Sequence, residues 1–256
     1  VDAVVVTPDQ KQTMIEDYNP AFTGEIRIPE EQVAEERERI NELNKKEAGL
    51  KKERTFAHQV IARRAAKELS QDDVVNIGVG LPEMIPDAAS EIGVGKDITL
   101  TVESGAIGGY PSTGINFGAS INLEMLQDEA YQFDYYDGGG LDITFLGTLE
   151  VDQAGNVNVS RIGDNLIGIG GFINLTQSAR EVVYCFPFSS KGLEVEYSNG
   201  ELKILKEGKY KKFSRRVDEI SSSGEFSAKI GQKVLYITER CVFELTGEGL
   251  KIVEIA

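Results

Sequence analysis

Thr99-Leu-Thr-Val-Glu-Ser-Gly-Ala-Ile-Gly-Gly-Tyr110 places one carboxylate, Glu103, between an apolar β-rich run, Ile98 to Val102, and a turn containing Gly105, Gly108 and Gly109. A strand that runs into a glycine-rich turn lifts the residue at its carboxyl end into the crevice where open α/β sheets bind ligands. Glycines there remove side chains and let a large substrate approach the backbone. A carboxylate in that position can act as a base, a metal ligand or a nucleophile. The rest of the chain has to decide among these.

Outward from this stretch the pattern repeats. Asp72 and Asp73 introduce a strand, Val74 to Val79, which ends in Gly78, Gly80 and Pro82. Pro82 suits the first turn of a helix, expected to reach Ile92. Further along, Thr144 to Leu149 and Glu181 to Phe186 read as strands, Ile121 to Glu129 as a short helix, and Asn174 to Arg180 as a polar segment. Strands alternating with helix-length segments predict an α/β fold with an open, mainly parallel sheet and crossover helices. Upstream, Phe56 to Leu69 forms an amphipathic helix with Phe56, Val60, Ile61 and Leu69 on one side, and Arg63, Arg64 and Lys67 mostly away from it. Glu30 to Glu47 is densely charged. Its Val33, Ile40 and Leu43 allow only a thin apolar stripe, so it reads as an exposed helix, a lever or linker, interrupted by Gly49. Before it come a short strand, Val4 to Thr7, and a turn-rich stretch, Pro8 to Pro29. At the other end Asn199-Gly200 signals a hairpin, and Val234 to Thr238, Val242 to Leu245 and Leu250 to Ile255 make a β-rich C-terminal appendage.

Composition narrows the chemistry. The 256 residues suffice for a sizeable core, and 41% hydrophobic content argues for a folded chain. A net charge of −15, from 42 acidic and 27 basic residues, argues against a nucleic-acid partner. An anionic small ligand stays open, since backbone N–H groups or a few lysines would hold it, although few cations for a polyphosphate stand out. Cys185 and Cys241 sit in apolar β-like runs and read as free thiols in a reducing compartment. One histidine, His58, with no cysteine cluster, speaks against a zinc site and a Ser-His-Asp triad. No signal peptide and no apolar run of about 18 residues is present, so no membrane partner and a cytoplasmic location are expected. The Gly78-Val-Gly80 turn lacks the rest of the dinucleotide fingerprint, because Pro82 and Met84 fill positions on the way to its third glycine.

Three glycine-rich turns therefore surround one carboxylate: Gly78/Gly80, Gly105/Gly108/Gly109 and Gly168/Gly170/Gly171. A fourth run, Tyr136-Asp-Gly-Gly-Gly-Leu141, lies between the last two. Each alone is compatible with an ordinary turn, and Asp137 with a turn cap. Their combination, without a metal cluster or a histidine base, favours a glutamate nucleophile.

The run T-V-E-S-G-A-I-G-G-Y-P, with Q-F-D-Y-Y-D-G-G-G-L-D at 132–142 and G-I-G-G-F-I-N-L-T-Q at 168–177, resembles family I coenzyme A-transferases of the acetate/propionate/acetoacetate type. V-N-I-G-V-G-L-P-E and the late K-V-L-Y-I-T-E-R match as well, so the resemblance covers nearly the whole chain. It implies the CoA-transferase fold and a definite mechanism. The glutamate of the family's E-x-G motif falls on Glu103, whose carboxylate attacks an acyl-CoA to give an acyl–glutamyl anhydride and CoA thiolate. The thiolate then attacks the glutamyl carbonyl, forming an enzyme–CoA thioester, and a second carboxylic acid reverses the steps. Gly170 and Gly171 fall on the loop that supplies oxyanion stabilisation. Gly105, Gly108, Gly109, Gly138, Gly139, Gly140 and Gly168 fall on CoA- and substrate-binding turns.

The resemblance also implies that no metal and no resident cofactor are used, CoA being a substrate held covalently. Its partners are an acyl-CoA, a carboxylic acid and a complementary alpha-type half, in a homo-oligomer with a place in short-chain fatty acid or ketone body metabolism. Nothing in the 256 residues matches that half. Residues 1–54 read as its end plus a charged helical linker, and 55–256 as the beta-type catalytic domain. The competing classes are a noncatalytic sensor of a phosphorylated metabolite, a structural partner protein without chemistry of its own, and an acyl-CoA hydrolase. The intact E-x-G-x-x-G-G turn argues against the sensor, and an acid-acceptor assay separates transferase from hydrolase.

Overall fold

The computed structural model of the chain describes residues 19–48, 55–95, 97–198 and 201–256. The expected strand at Val4 to Thr7, Gly49 and the Asn199-Gly200 turn lie outside them. The flanking strands of that turn, Glu194–Ser198 and Glu201–Lys206, do pair antiparallel.

Nine strands form the central sheet: β1 Val74–Ile77, β2 Thr99–Thr101, β3 Ala106–Ile107, β4 Met125–Leu126, β5 Ile143–Leu146, β6 Glu181–Cys185, β7 Lys233–Ile237, β8 Cys241–Thr246 and β9 Gly249–Ile255. Their order is β9-β8-β7-β6-β5-β1-β2-β3-β4. The five central strands, β7-β6-β5-β1-β2, are all parallel. Both edges turn antiparallel, through β8 and β9 on one side and β3 and β4 on the other. The β-rich C-terminal stretch is thus joined directly to the sheet, its first strand running parallel and its last two forming the edge.

Central parallel strands are covered on both faces and read as continuous apolar runs. On one face helices α2 (Phe56–Ala66) and α3 (Ile85–Ile92) cover Val75, Ile77, Phe145, Val183 and Cys185. On the other, helices α4 (Glu129–Tyr135) and α5 (Phe172–Ser178) contribute to a core of Leu146, Val182, Tyr184, Tyr236, Leu175 and Phe172, closed by Tyr136. Alternate residues of one strand, such as Val182 and Val183, therefore serve opposite cores. Ile61 and Ile85 are fully buried, each worth about 1.5–3 kcal/mol relative to exposure.

Four expectations need correction. Ile121 to Glu129 is not a helix: Ser120–Ile121 and Met125–Leu126 are strands, and α4 begins only at Glu129. Asn122, between them, has φ +57°; its side chain accepts from Ile28 N and donates to Ile28 O, both at 2.8 Å, which ties this segment to the stretch just before Glu30. The polar stretch after Gly171 is helical, as α5. In α2 the buried face is Ala57, Ile61, Ala62, Ala65 and Ala66, while Phe56 is exposed; small alanines let the helix lie close to the sheet. Finally α1 (Glu30–Ala48) does not stand clear. Val33 and Ile40 are buried, and Arg37 bridges Asp87 of α3 at 2.6 Å. His58 caps α2, its Nδ1 accepting from Thr55 N at 3.1 Å.

Candidate active site

Glu103 stands two residues beyond the end of β2, at the carboxyl edge of the parallel strands. Gly105 N donates to Val102 O at 3.0 Å, so Glu103 and Ser104 are the central residues of a tight turn. Gly105 has φ +104°, and a Cβ on it would lie 1.8 Å from Gln127 O. A Cβ on Gly109 would lie 2.2 Å from Ile121 O, and one on Gly108 2.8 Å from Glu124 Cγ. These three glycines hence make room for the chain's own 121–127 segment, which bonds back through Gln127 N to Gly105 O and Glu124 N to Ile107 O. The Ser104 hydroxyl donates to Gly118 O. The turn that carries the carboxylate is fixed almost wholly by main chain.

Across from it, Gly171 caps the start of α5 and brings its N–H up to the Glu103 carboxylate. The approach is close: a Cβ on Gly171 would lie 2.5 Å from Glu103 Oε2 and 2.4 Å from Phe133 Cζ. Gly168 and Gly170 have φ of +94° and +54° and face open space, so the main chain beside the carboxylate is accessible to a ligand. Burial raises the pKa of Glu103, the negative charge of Glu129 raises it further, and the Gly171 N–H opposes both. An open depression of about 590 Å³ adjoins it, lined by Ser104, Leu126, Gln127, Asp128, Glu129 and Tyr131. Leu126 and Tyr131 are exposed apolar groups on its rim.

Of the other glycine runs, Gly78 is required by contact with Phe145 O, 2.8 Å from its Cβ position. The Gly80 N–H is taken by Glu83 Oε1 at 2.9 Å, which uses a donor that a dinucleotide phosphate would need. Gly138 and Gly139 face open space, while a Cβ on Gly140 would strike the Tyr135 ring at 2.4 Å. Asp137 accepts from Asn174 and Ser178, tying the end of α4 to α5. Among the described residues no group of acidic, histidine or cysteine side chains is placed to hold a metal ion.

Sequence reasoning missed Glu129 and Phe133, and also the polar floor beneath the site. Tyr136 is fully buried, and its OH donates to Thr101 Oγ1 at 2.8 Å and accepts from Asn76 Nδ2 at 3.4 Å. Thr144 Oγ1 donates to Asn76 Oδ1 at 3.1 Å. Burial raises the Tyr136 pKa against these bonds, and the Glu103 charge adds to the rise. A signal was present: Asn76, Thr101 and Thr144 are polar residues that face one another in register on three neighbouring strands.

The sheet thus presents one desolvated carboxylate, beside a glycine loop, at the edge where α/β folds bind ligands. Residues 58–254 match the family model for coenzyme A transferase; the chain belongs to this family. It is 43% identical over 264 residues to caffeate CoA-transferase of Acetobacterium woodii, covering 100% of this chain and 47% of that protein. It is 30% identical over 210 residues to one of the separate subunits of succinyl-CoA:3-ketoacid coenzyme A transferase of Helicobacter pylori, covering 77% of this chain and 89% of that one. Among solved structures, the acyl-CoA transferase YdiF of Escherichia coli O157:H7, in a thioester complex with CoA, superposes with a TM-score of 0.73 and 38% identity over 80% of this chain and 39% of that one. The chain thus spans less than half of caffeate CoA-transferase and of YdiF, and most of a relative that is named a subunit. No helix among the described residues is long and apolar enough to cross a membrane.

Proposed function

We propose that this chain is the glutamate-bearing half of an enzyme that moves coenzyme A from a short-chain acyl-CoA to a carboxylic acid in the cytoplasm, and that Glu103 is its nucleophile. A carboxylate is a weak nucleophile towards a thioester while water solvates it. Glu103 is held largely out of water against the Gly171 loop, and that observation carries the reading. Its oxygen attacks the acyl carbonyl carbon, the C–S bond breaks, and CoA leaves as thiolate. The thiolate attacks the glutamyl carbonyl of the resulting anhydride and expels the first acid as its carboxylate. The Glu103–CoA thioester is then opened by the second acid through the same steps in reverse. The thioester form of YdiF, a relative with this fold, supports the covalent step.

Gly171, with Gly170 beside it, donates main-chain N–H to the oxyanion that develops on the glutamyl or acyl oxygen. Gly168 leaves the loop open to the substrate, with Gly138, Gly139 and Gly140 forming a neighbouring turn. Gly105, Gly108 and Gly109 shape the turn that aims the nucleophile. The chemistry requires no resident cofactor, since CoA itself is substrate. The depression beside Glu103 is open to solvent in this chain alone, and water there would hydrolyse an anhydride. A complementary alpha-type half closes it, either on the same polypeptide or on a separate one, in a homo-oligomer of such pairs. Support comes from relatives of which this chain covers less than half and from others that are named subunits.

Mass spectrometry tests the proposal. The chain, with and without an alpha-type half, is incubated with acetyl-CoA or acetoacetyl-CoA. A CoA-sized adduct on the Glu103 peptide, removed by hydroxylamine or by an acceptor acid, is the expected result. Product formation that consumes water but no acceptor acid identifies a hydrolase, and full transferase activity in Glu103→Ala overturns the assignment.

A further inference from the structure

Residues 206–216, Lys-Glu-Gly-Lys-Tyr-Lys-Lys-Phe-Ser-Arg-Arg, hold six basic side chains in a protein whose net charge is −15. Several cations elsewhere among the described residues are tied up in pairs: Arg64 with Glu68 and Glu254, Lys233 with Glu68 and Glu181, Arg240 with Glu207 and Glu239. Lys191, Lys209 and Lys211 form no ion pair among the described residues. They are exposed, and they are brought together by the short antiparallel pairing of Ser189–Ser190 with Tyr210–Lys211. The ring of Tyr210 holds the ammonium groups of Lys191 and Lys209 at 5.3 and 5.1 Å from its centroid, a cation–π arrangement that gathers two like charges which would otherwise repel. Glu207, the nearest acid in sequence, is bonded to Arg240 at 2.7–2.8 Å and to the Ser189 hydroxyl at 2.9 Å, with the Lys211 charge acting on it from further off.

The position of this cluster is informative. Ser189 follows β6 by only a few residues, so the cluster stands at the same carboxyl edge as Glu103. Lys212 pins the segment there: its Nζ donates at 2.9 Å to Thr148 O, two residues past the end of β5. Strands β6 and β2 are three places apart in the sheet, which at roughly 4.8 Å per strand is about 14 Å. A pantetheine arm covers a distance of that order, with its thiol at one end and the phosphates of its nucleotide at the other.

We propose that Lys191, Lys209 and Lys211, gathered on Tyr210, bind the phosphate groups of the 3′-phospho-ADP portion of CoA. This rests on the CoA-transferase reading of the site. It also revises the expectation that the chain offers few cations to a CoA phosphate: the deficit is global, and the local excess is here. The whole-chain charge repels nucleic acid while this edge attracts one small polyanion.

The test uses the active enzyme, this chain with its complementary half, and the double variant Lys209→Glu/Lys211→Glu. Lys229→Glu, which changes the same kind of charge on the Gly224–Lys229 helix, is the control. Charge-assisted contacts to phosphate predict that KM for acyl-CoA rises about tenfold or more, with KM for the acceptor acid unmoved and the control at wild-type values. Direct binding is measured by calorimetry with CoA, dephospho-CoA and adenosine 3′,5′-bisphosphate. The variant is expected to lose the preference for CoA over dephospho-CoA and the salt dependence of CoA binding. An unchanged acyl-CoA KM and an unchanged preference for CoA in a folded double variant overturn the proposal. Lysine-dependent CoA binding by a wild-type enzyme that transfers to no acid supports this subsite while removing the function on which it was placed.

Discussion

Gly171→Ala isolates the contact between the glycine loop and the nucleophile. The backbone at 171 has φ −74° and ψ 2°, conformations open to any residue, so the substitution adds no main-chain strain. The new methyl carbon would sit 2.4 Å from Phe133 Cζ and 2.5 Å from Glu103 Oε2, against the ~3.5–4.0 Å of an ordinary contact. The ring and the carboxylate must together retreat by about 1 Å each, and a displacement of that size at a reacting group costs on the order of 100-fold in rate. Overpacking costs about 1–3 kcal/mol. The narrower unfolded ensemble of alanine returns about 0.4–1 kcal/mol, so the variant remains folded. The assay is the rate of CoA adduct formation on the Glu103 peptide, followed by mass spectrometry beside a thermal unfolding curve. A folded variant with a large loss of rate is expected. A wild-type rate in Gly171→Ala would refute the placement of this N–H against the nucleophile.

Three further expectations follow from the electrostatics. Glu129→Gln removes a negative neighbour that raises the Glu103 pKa, so the acid limb of the pH–kcat/KM profile should move to lower pH. Glu103→Gln should abolish the adduct yet raise the melting temperature at neutral pH, because the folded state holds an ionised, desolvated carboxylate at a cost. That gain is fully present above the raised folded pKa and disappears as the pH falls from it to the ordinary carboxylate value. A melting series from pH 8 to about pH 3 covers that window. Arg240→Ala leaves Glu239, which is fully buried and otherwise bonded to Phe188 N at 2.8 Å, without its cation. Urea unfolding should show a loss of about 3–5 kcal/mol, partly recovered by Glu239→Gln in the same chain.

The parallel centre of the sheet was legible because its strands are short, largely apolar runs, two of which lead straight into Gly78 and Gly147, and Glu103 because it interrupts such a run at its carboxyl end. Segment 121–129 misled for a physical reason. Ile121, Leu123 and Met125 alternate as a strand does, but the stretch is short, and what decides it is long-range: the Asn122 side chain holds Ile28, 94 residues away. Helix α2 was placed by its large residues, whereas close packing on the sheet selected its alanines. The pairing of Glu103 with Gly171 depends on the fold bringing two turns together, 68 positions apart in the chain. Glu129 had no local signal at all, as its influence on Glu103 acts through space.

The turn that carries Glu103 is braced by carbonyl oxygens of the 121–127 segment occupying the space that side chains of Gly105 and Gly109 would fill. Main-chain atoms are common to every amino acid, so this bracing is indifferent to which residues occupy positions 125, 126 and 131. Leu126 and Tyr131 are exposed on the rim of the same depression, with Met125 exposed next to Leu126 in the chain. The family's range of acids, from caffeate to acetate and succinate among the relatives named for them, then has a structural rationale. The side chains on the rim are thereby separable from the backbone that sets the position of the Glu103 carboxylate.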